Sequence, residues 1–439
     1  MRPYLLISAI VAIFGGFLFG FQFVVASGIT EFIKPLFHPS EFMLATIVSS
    51  VFLGAVAGCT FAGSMADKSG RKYAMVLSAI LFILTPVGAA ISNSVLSLVT
   101  FRILSGIALG IISTVSPMYL SEVVPAAKRG QFVSFYQLAI VSGILMATVT
   151  NYLFSGMEHN WRLMLGFGLV PGLIMLAGLM MIPESPKWLV KNNRQGDAEK
   201  ALAKMFDETS AKNEFALLKQ SGAESGEKIS MSVLFKGKTG KVVLFGILLA
   251  VFQQLTGIAA VMSYAPDIMK AIGMGGDALQ QAILVGFINF IFTFVAITMV
   301  DRLGRKTLMI GGLAVIIAGL TGLTVLYAIE NSPAILKLIS ILTFVAGFSA
   351  TVGPVMWVLV AEILPLKVKG PATSVATFSL WTFTLLVSFF FPIMLSALGA
   401  SMSFGIYAVL SVIHLLFIKI FIPETKGKTL EEIEQLMLK

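Results

Sequence analysis

Along this chain of 439 residues, apolar runs of about twenty residues alternate with short polar segments. Twelve such runs can be marked, at about 5–27, 41–65, 73–92, 95–118, 131–154, 161–182, 241–266, 278–300, 307–328, 335–360, 371–395 and 402–422. A helix needs about 20 residues to cross about 30 Å of hydrocarbon, so each run is long enough to span a bilayer. Backbone N–H and C=O groups find no water there, which makes helix the required conformation. The pattern predicts an all-α membrane protein with twelve transmembrane helices. The one sizeable polar stretch lies between the sixth and seventh runs, from Lys187 to Lys241. Its charge-rich "GDAEKALAKMFDE" predicts short amphipathic helices, and "QSGAESGEK" reads as a loop.

Composition agrees: 57% of residues are hydrophobic, 12% are charged and the mean hydropathy is +0.93. A water-soluble domain needs more surface charge than that. The single Cys59 excludes disulfides and thiolate metal sites, and His38, His159 and His414 are too scattered to form a metal cluster. No metal or other cofactor is indicated, and no nucleotide-binding loop or catalytic triad points to an enzyme. The first run follows a single Arg2, as in a signal peptide, but it is too long and lacks a small-residue cleavage site, so it reads as a retained span.

Charge placement sets the expected orientation. With the amino terminus inside, Lys68, Arg71, Lys72, Lys128, Arg129, Arg302, Arg305, Lys306, Lys367 and Lys369 fall on one side, and only Lys34, Arg162, Lys270 and Lys337 on the other. Positively charged loops stay in the cytoplasm, so both termini are expected there. The isoelectric point near 9.5 reflects that topology and attraction to anionic lipid, and no basic stripe suggests nucleic acid.

The chain also repeats itself. "ADKSGRK" from Ala66 returns as "VDRLGRK" from Val300, "SEVVPAAKRG" from Ser121 as "AEILPLKVKG" from Ala361, and "PESPK" from Pro183 as "PETKG" from Pro423, at offsets of 234, 240 and 240. Motifs recurring in order at one spacing mark two homologous halves of six helices each, in parallel orientation because each half has an even number of spans. The expected organisation is a bundle over 1–186, a cytoplasmic helical linker over 187–240, a second bundle over 241–422 and a tail helix over 423–439.

These motifs, together with "GSMADKSGRK", "PMYLSEVVPAAKRG", "QQLTGI", "GPVMWVLVAEILP" and "PETKGKTLEEIE", resemble in order and over the whole length the sugar porters of the major facilitator superfamily. The resemblance implies a rocker-switch carrier with a sugar site at the midplane between the two bundles. It implies a monomer in the plasma membrane, the inner membrane of a bacterium, with a small sugar or polyol as its partner. Carried over residue by residue, it implies sugar contacts at Gln137, Gln253, Gln254 and Asn289, a stacking tryptophan at Trp357, and cavity aromatics at Trp381 and Phe348. The chemistry fits, since a carboxamide both donates and accepts, as sugar hydroxyls require, and an indole face can cover the apolar C–H face of a pyranose. Helix–helix hydrogen bonding is the alternative role for such amides. The chain departs from the family pattern at Ala259, Ser263, Leu380 and Thr384, where larger polar groups are usual.

Two further sets carry mechanical expectations. Asp67, Arg71, Glu122, Arg129 and Glu184 in the first half, and Asp301, Arg305, Glu362, Lys369 and Glu424 in the second, are duplicated charges that could latch the bundles together at the inner face in one conformation. Lys369 stands where the family has Arg, losing a bidentate fork. Position 22 holds Gln where proton-coupled sugar porters carry Asp, while their partner arginine is kept as Arg102. Gln22 is therefore expected to face the cavity and hydrogen-bond Arg102, and transport is expected to be uncoupled, because a carboxamide does not titrate in the physiological range. Three other readings stay open: a symporter using another acid, a sugar sensor that does not transport, and a drug antiporter. The last would usually carry a Gly-Pro motif in the fifth helix, which "QFVSFYQLAIVSGILMATVT" lacks.

Overall fold

The computed structural model describes residues 2–125, 128–224, 234–273, 275–365 and 368–438, and every regular element among them is helical. In chain order these are α1 (Pro3–Val24), α2 (Thr30–Phe37), α3 (Glu41–Ser69), α4 (Arg71–Ala90), α5 (Val95–Val123), α6 (Arg129–Ser155), α7 (Asn160–Gly166), α8 (Leu169–Met181), α9 (Pro186–Lys191), α10 (Gln195–Met205), α11 (Glu208–Glu224), α12 (Gly237–Leu255), α13 (Ile258–Ser263), α14 (Ala265–Ile272), α15 (Ala278–Leu303), α16 (Arg305–Ala328), α17 (Ala334–Gly347), α18 (Gly353–Ile363), α19 (Lys369–Phe421) and α20 (Leu430–Leu438). Eleven stretches are long and apolar enough to span a bilayer, and the last, Lys369–Phe421, is two spans joined at Gly399, whose φ of 77° breaks the helix. Twelve spans result, as the hydropathy pattern predicts.

Several spans are broken. The seventh stops at Leu255 and restarts beyond Gly257, where φ is 89° and a Cβ would lie 2.8 Å from the ring of Tyr407. Only glycine takes that backbone conformation without strain and admits the ring so closely. The tenth is interrupted by a π-helical turn, Phe348–Val352, ahead of Pro354, which has no N–H to continue the ladder. The sixth breaks between α7 and α8.

Close crossings fix the bundles. A Cβ on Gly54 would collide with the carbonyl of Ile103, and one on Gly106 with that of Val51, so the second and fourth spans (α3 and α5) cross backbone to backbone. The second span packs against the eleventh through Phe52 and Trp381, with ring centroids 6.3 Å apart, and the fifth span (α6) packs against the eighth (α15). The polar stretch between the sixth and seventh spans is tied to the face that carries the termini: the Trp188 indole N–H donates to the Asp67 carbonyl at 2.8 Å, and Arg2 donates to that of Ala203 at 2.7 Å.

Candidate functional site

Within the second half the broken seventh and tenth spans meet. The Gln253 amide donates to the carbonyls of Val352 and Gly353 at 3.2 and 3.0 Å, oxygens at the π turn that lipid could not hydrate. Gln254 donates to Oε1 of Gln253 at 3.2 Å, and its own Oε1, buried, has no partner among the described residues. Asn289 reaches the same turn, its Oδ1 accepting from Ser349 Oγ at 2.8 Å. Phe348 lies on the turn and Trp357 on α18 beyond it; both are half-buried. Gln137 on α6 and Trp357 are half-buried and make no hydrogen bond among the described residues, which leaves their polar groups free for a ligand. Four of the seven expected sugar residues, Gln253, Gln254, Asn289 and Phe348, thus converge on one backbone defect.

Trp381, expected as a cavity aromatic, is buried. It is 2% exposed and sits in an aromatic seam between the halves, tilted on Phe19 at 5.2 Å and stacked on Phe52 at 6.3 Å. The seam seals the interface where those spans approach. Two cavities, of about 610 and 460 Å³, lie away from the cluster at the π turn, one lined in part by Glu31, Lys270 and Gln281 and the other by His159 and Arg162.

The expected bond between Gln22 and Arg102 is absent. Arg102, 2% exposed, donates Nε–H to the Ile47 carbonyl at 2.7 Å and Nη2–H to that of Val48 at 2.8 Å, both one to two turns from the Gly54–Gly106 crossing. Because glycine lets the helices touch, backbone oxygens take two of the guanidinium N–H donors. Gln22, 4% exposed, turns instead to the break in the sixth span: its Nε2 would lie 3.0 Å from a Cβ on Gly168. Gln22 makes no hydrogen bond among the described residues.

At the terminal face the duplicated charges pair, among the described residues, within their own half. Arg71 grips Glu122 with Nε and Nη2, both at 3.0 Å, and Nη1 lies 3.1 Å from Asp67. Ser185 donates Oγ–H to Glu122 at 2.5 Å. Glu184 accepts the backbone N–H groups of Arg71 and Lys72 at 3.0 Å, capping the start of α4 where the helix dipole favours negative charge. The second half copies this more loosely: Glu424 accepts from the N–H groups of Arg305 at 2.9 Å and Lys306 at 3.2 Å, while Arg305 approaches Glu362 at 3.3 Å. Burial outweighs the N–H donors at Glu184 and raises its carboxyl above the usual glutamate range. At Glu424 burial also pushes upward, but the N–H groups of Lys426, Arg305, Thr307 and Thr425 win and hold it below that range. Lys369 opens α19, half-buried, and the side chains of Arg129 and Asp301 lie outside the described residues.

Glu122→Gln should accordingly leave the 7%-exposed Arg71 side chain without its counter-charge, and breaking a buried pair in this way costs about 3–5 kcal/mol. A clear fall in the melting temperature of the detergent-solubilised protein is expected, with a smaller fall for Glu362→Gln, whose pair is longer and more exposed. Equal shifts would mean that the two halves rely on their clusters alike.

Comparison with known proteins decides the family. The profile described as "Sugar (and other) transporter" matches residues 8–437. The chain belongs to the sugar transporter family. This transporter is 35% identical over 433 residues to the arabinose-proton symporter of Bacillus subtilis, covering 97% of this chain and 93% of the relative. It is equally 35% identical, over 474 residues, to the D-xylose-proton symporter of Escherichia coli, covering 99% and 96%. The inward open structure of the E. coli xylose transporter XylE superposes with a TM-score of 0.86 at 34% identity, covering 99% of this chain and 100% of that one. The transporter has the major facilitator fold, and its relatives are carriers, not enzymes.

Side chains at the face opposite the termini also join the halves, although along the sequence they stand only as scattered outer charges. Lys34 lies 2.8 Å from Asp267, which also accepts from Thr30 Oγ1 at 2.8 Å, and Lys270 lies 2.5 Å from Glu31. The signal was present in the repeat, as Glu31-x-x-Lys34 returns as Asp267-x-x-Lys270 at an offset of 236.

Proposed function

We propose that the transporter carries a small sugar or polyol by alternating access and does so without proton coupling, with its terminal face in the cytoplasm. The observation that carries the uncoupled reading is Arg102, which donates to the carbonyls of Ile47 and Val48 while the non-titrating Gln22 occupies a separate site. A proton carrier at this pair needs a carboxylate, and position 22 does not supply one. The carboxylates Glu31, Asp267, Glu122 and Glu362 lie toward the ends of the spans, each beside a Lys or Arg. Orientation is supported by the excess of Lys and Arg at the terminal face. The clusters around Glu122 and Glu362 are read as braces that hold each half together while the halves rock, and the substrate site as Gln137, Gln254, Asn289, Phe348 and Trp357.

A second reading, proton symport through another group, is favoured by the names of the arabinose and xylose relatives. One experiment separates the two. In liposomes loaded with candidate sugars and polyols, the purified transporter should equilibrate its substrate and stop, and a proton ionophore should leave counterflow unchanged. Accumulation above equilibrium under an imposed proton gradient would overturn the uncoupled reading and establish symport.

A further inference from the structure

The face opposite the termini carries a reciprocal arrangement. On α2, Glu31 and Lys34 lie three residues apart and so share one helix face; on α14, Asp267 and Lys270 do the same. The two pairs are equivalent positions of the internal repeat, at an offset of 236, in line with the 234 and 240 of the other repeated motifs. Across a pseudo-twofold interface equivalent surfaces meet themselves, so the acid of each copy finds the base of the other. The contacts obey this rule: Lys34 pairs with Asp267 at 2.8 Å and Glu31 with Lys270 at 2.5 Å. Thr30 adds a hydrogen bond to Asp267 at 2.8 Å while it also bonds the Ser27 carbonyl at 3.2 Å, tying the pair to the end of the first span. Behind the pairs, Phe19, Phe23, Phe52 and Trp381 close the seam between the halves.

We propose that Glu31, Lys34, Asp267 and Lys270 form an outer lock, a self-complementary double ion pair that exists only while the outer face is shut and so sets which face of the carrier is open. This inference rests on the alternating-access reading. Both pairs join different halves, so rocking the bundles apart at this face must break both together, whereas Arg71–Glu122 and Arg305–Glu362 each stay within one half. The lock therefore weighs on the balance between access states more than on folding. It stands at the solvent edge, with side chains between 25% and 66% exposed, so dissolved salt screens it. Its strength should fall as ionic strength rises.

The test uses full-length protein in right-side-out vesicles, with Cys59→Ala removing the native thiol and Ser263→Cys, on α13 just inside the lock, as the probe for a membrane-impermeant maleimide. Lys34→Glu and Asp267→Lys should each speed labelling from outside by roughly three- to tenfold, the range expected when half-exposed ion pairs between two states are lost. The double variant Lys34→Glu/Asp267→Lys restores opposite charges across the interface, and its labelling should return to within about twofold of the parent rate. Raising salt to about 1 M should speed labelling of the parent and leave the single variants little changed. A rate that stays the same in both single variants, or a double variant that labels as fast as they do, overturns the lock. Labelling needs no sugar, so the result is independent of the substrate. Counterflow in the same vesicles reports on transport separately, and its absence with every sugar offered would count against the carrier reading, whereas the labelling rates alone decide the lock.

Discussion

Gln254→Ala should weaken sugar binding by about 5- to 150-fold, the range that follows from losing a buried hydrogen bond worth about 1–3 kcal/mol to a ligand hydroxyl. Among the described residues the buried Gln254 Oε1 has no partner, and an acceptor held dry and unpaired costs free energy until a donor arrives. The adjacent Gln253 has the same chemistry and a different employment, because its N–H groups are spent on the Val352 and Gly353 carbonyls. Gln253→Ala should therefore lower the melting temperature as well as affinity, since it leaves two carbonyls at the π turn without their donor, whereas Gln254→Ala, which strands only the Gln253 Oε1, should lower melting by less. Calorimetric titration with the transported sugar, paired with thermal unfolding of each variant, checks the contrast. If the two variants behave alike in both measurements, the division of labour between neighbouring amides is wrong.

Gln22→Asp should make transport depend on pH where the parent does not. In the parent, exchange of sugar across liposomes should vary less than about twofold between pH 5 and 8, because no carboxylate stands at position 22 and a carboxamide does not titrate there. The variant places a titrating group in a pocket bounded by Gly168 and Pro86, within the half that also holds Arg102. A carboxylate whose surroundings change between access states has a different proton affinity in each, so rates should change more than about fivefold over roughly pH 4 to 8. Coupled accumulation is a stricter outcome, since it needs the new carboxylate to exchange its proton with both sides. Arg102 must then leave the Ile47 and Val48 carbonyls at some point of the cycle to answer the new charge. A parent protein already steep in pH over this window would move the proton to another group and sink the uncoupled reading.

Much of the architecture was legible along the chain. Twelve apolar runs predicted twelve spans, and the structure departs from that count only in running the last two together through Gly399. The offsets of 234 and 240 carried the duplication, and the ordered motifs carried the family. These properties are local or periodic: hydropathy over about 20 residues fixes a span wherever it later packs. The sequence also held the amides, aromatics and charges of the site as residue types at motif positions.

Partnership was not legible, because it depends on how helices cross. Arg102 pairs with the backbone of the second span, and not with Gln22, because Gly54 and Gly106 bring two helix axes close enough for a guanidinium to reach carbonyls. Gln253 became a strut and Gln254 an open acceptor because the π turn at Phe348–Val352 presents its carbonyls to one of two adjacent side chains. Arg71 and Glu122 closed on each other within one half, while two ion pairs that cross the halves formed at the opposite face. Hydrophobic periodicity places a residue on a helix face, and only the packing of several faces decides which donor and acceptor come within about 3 Å.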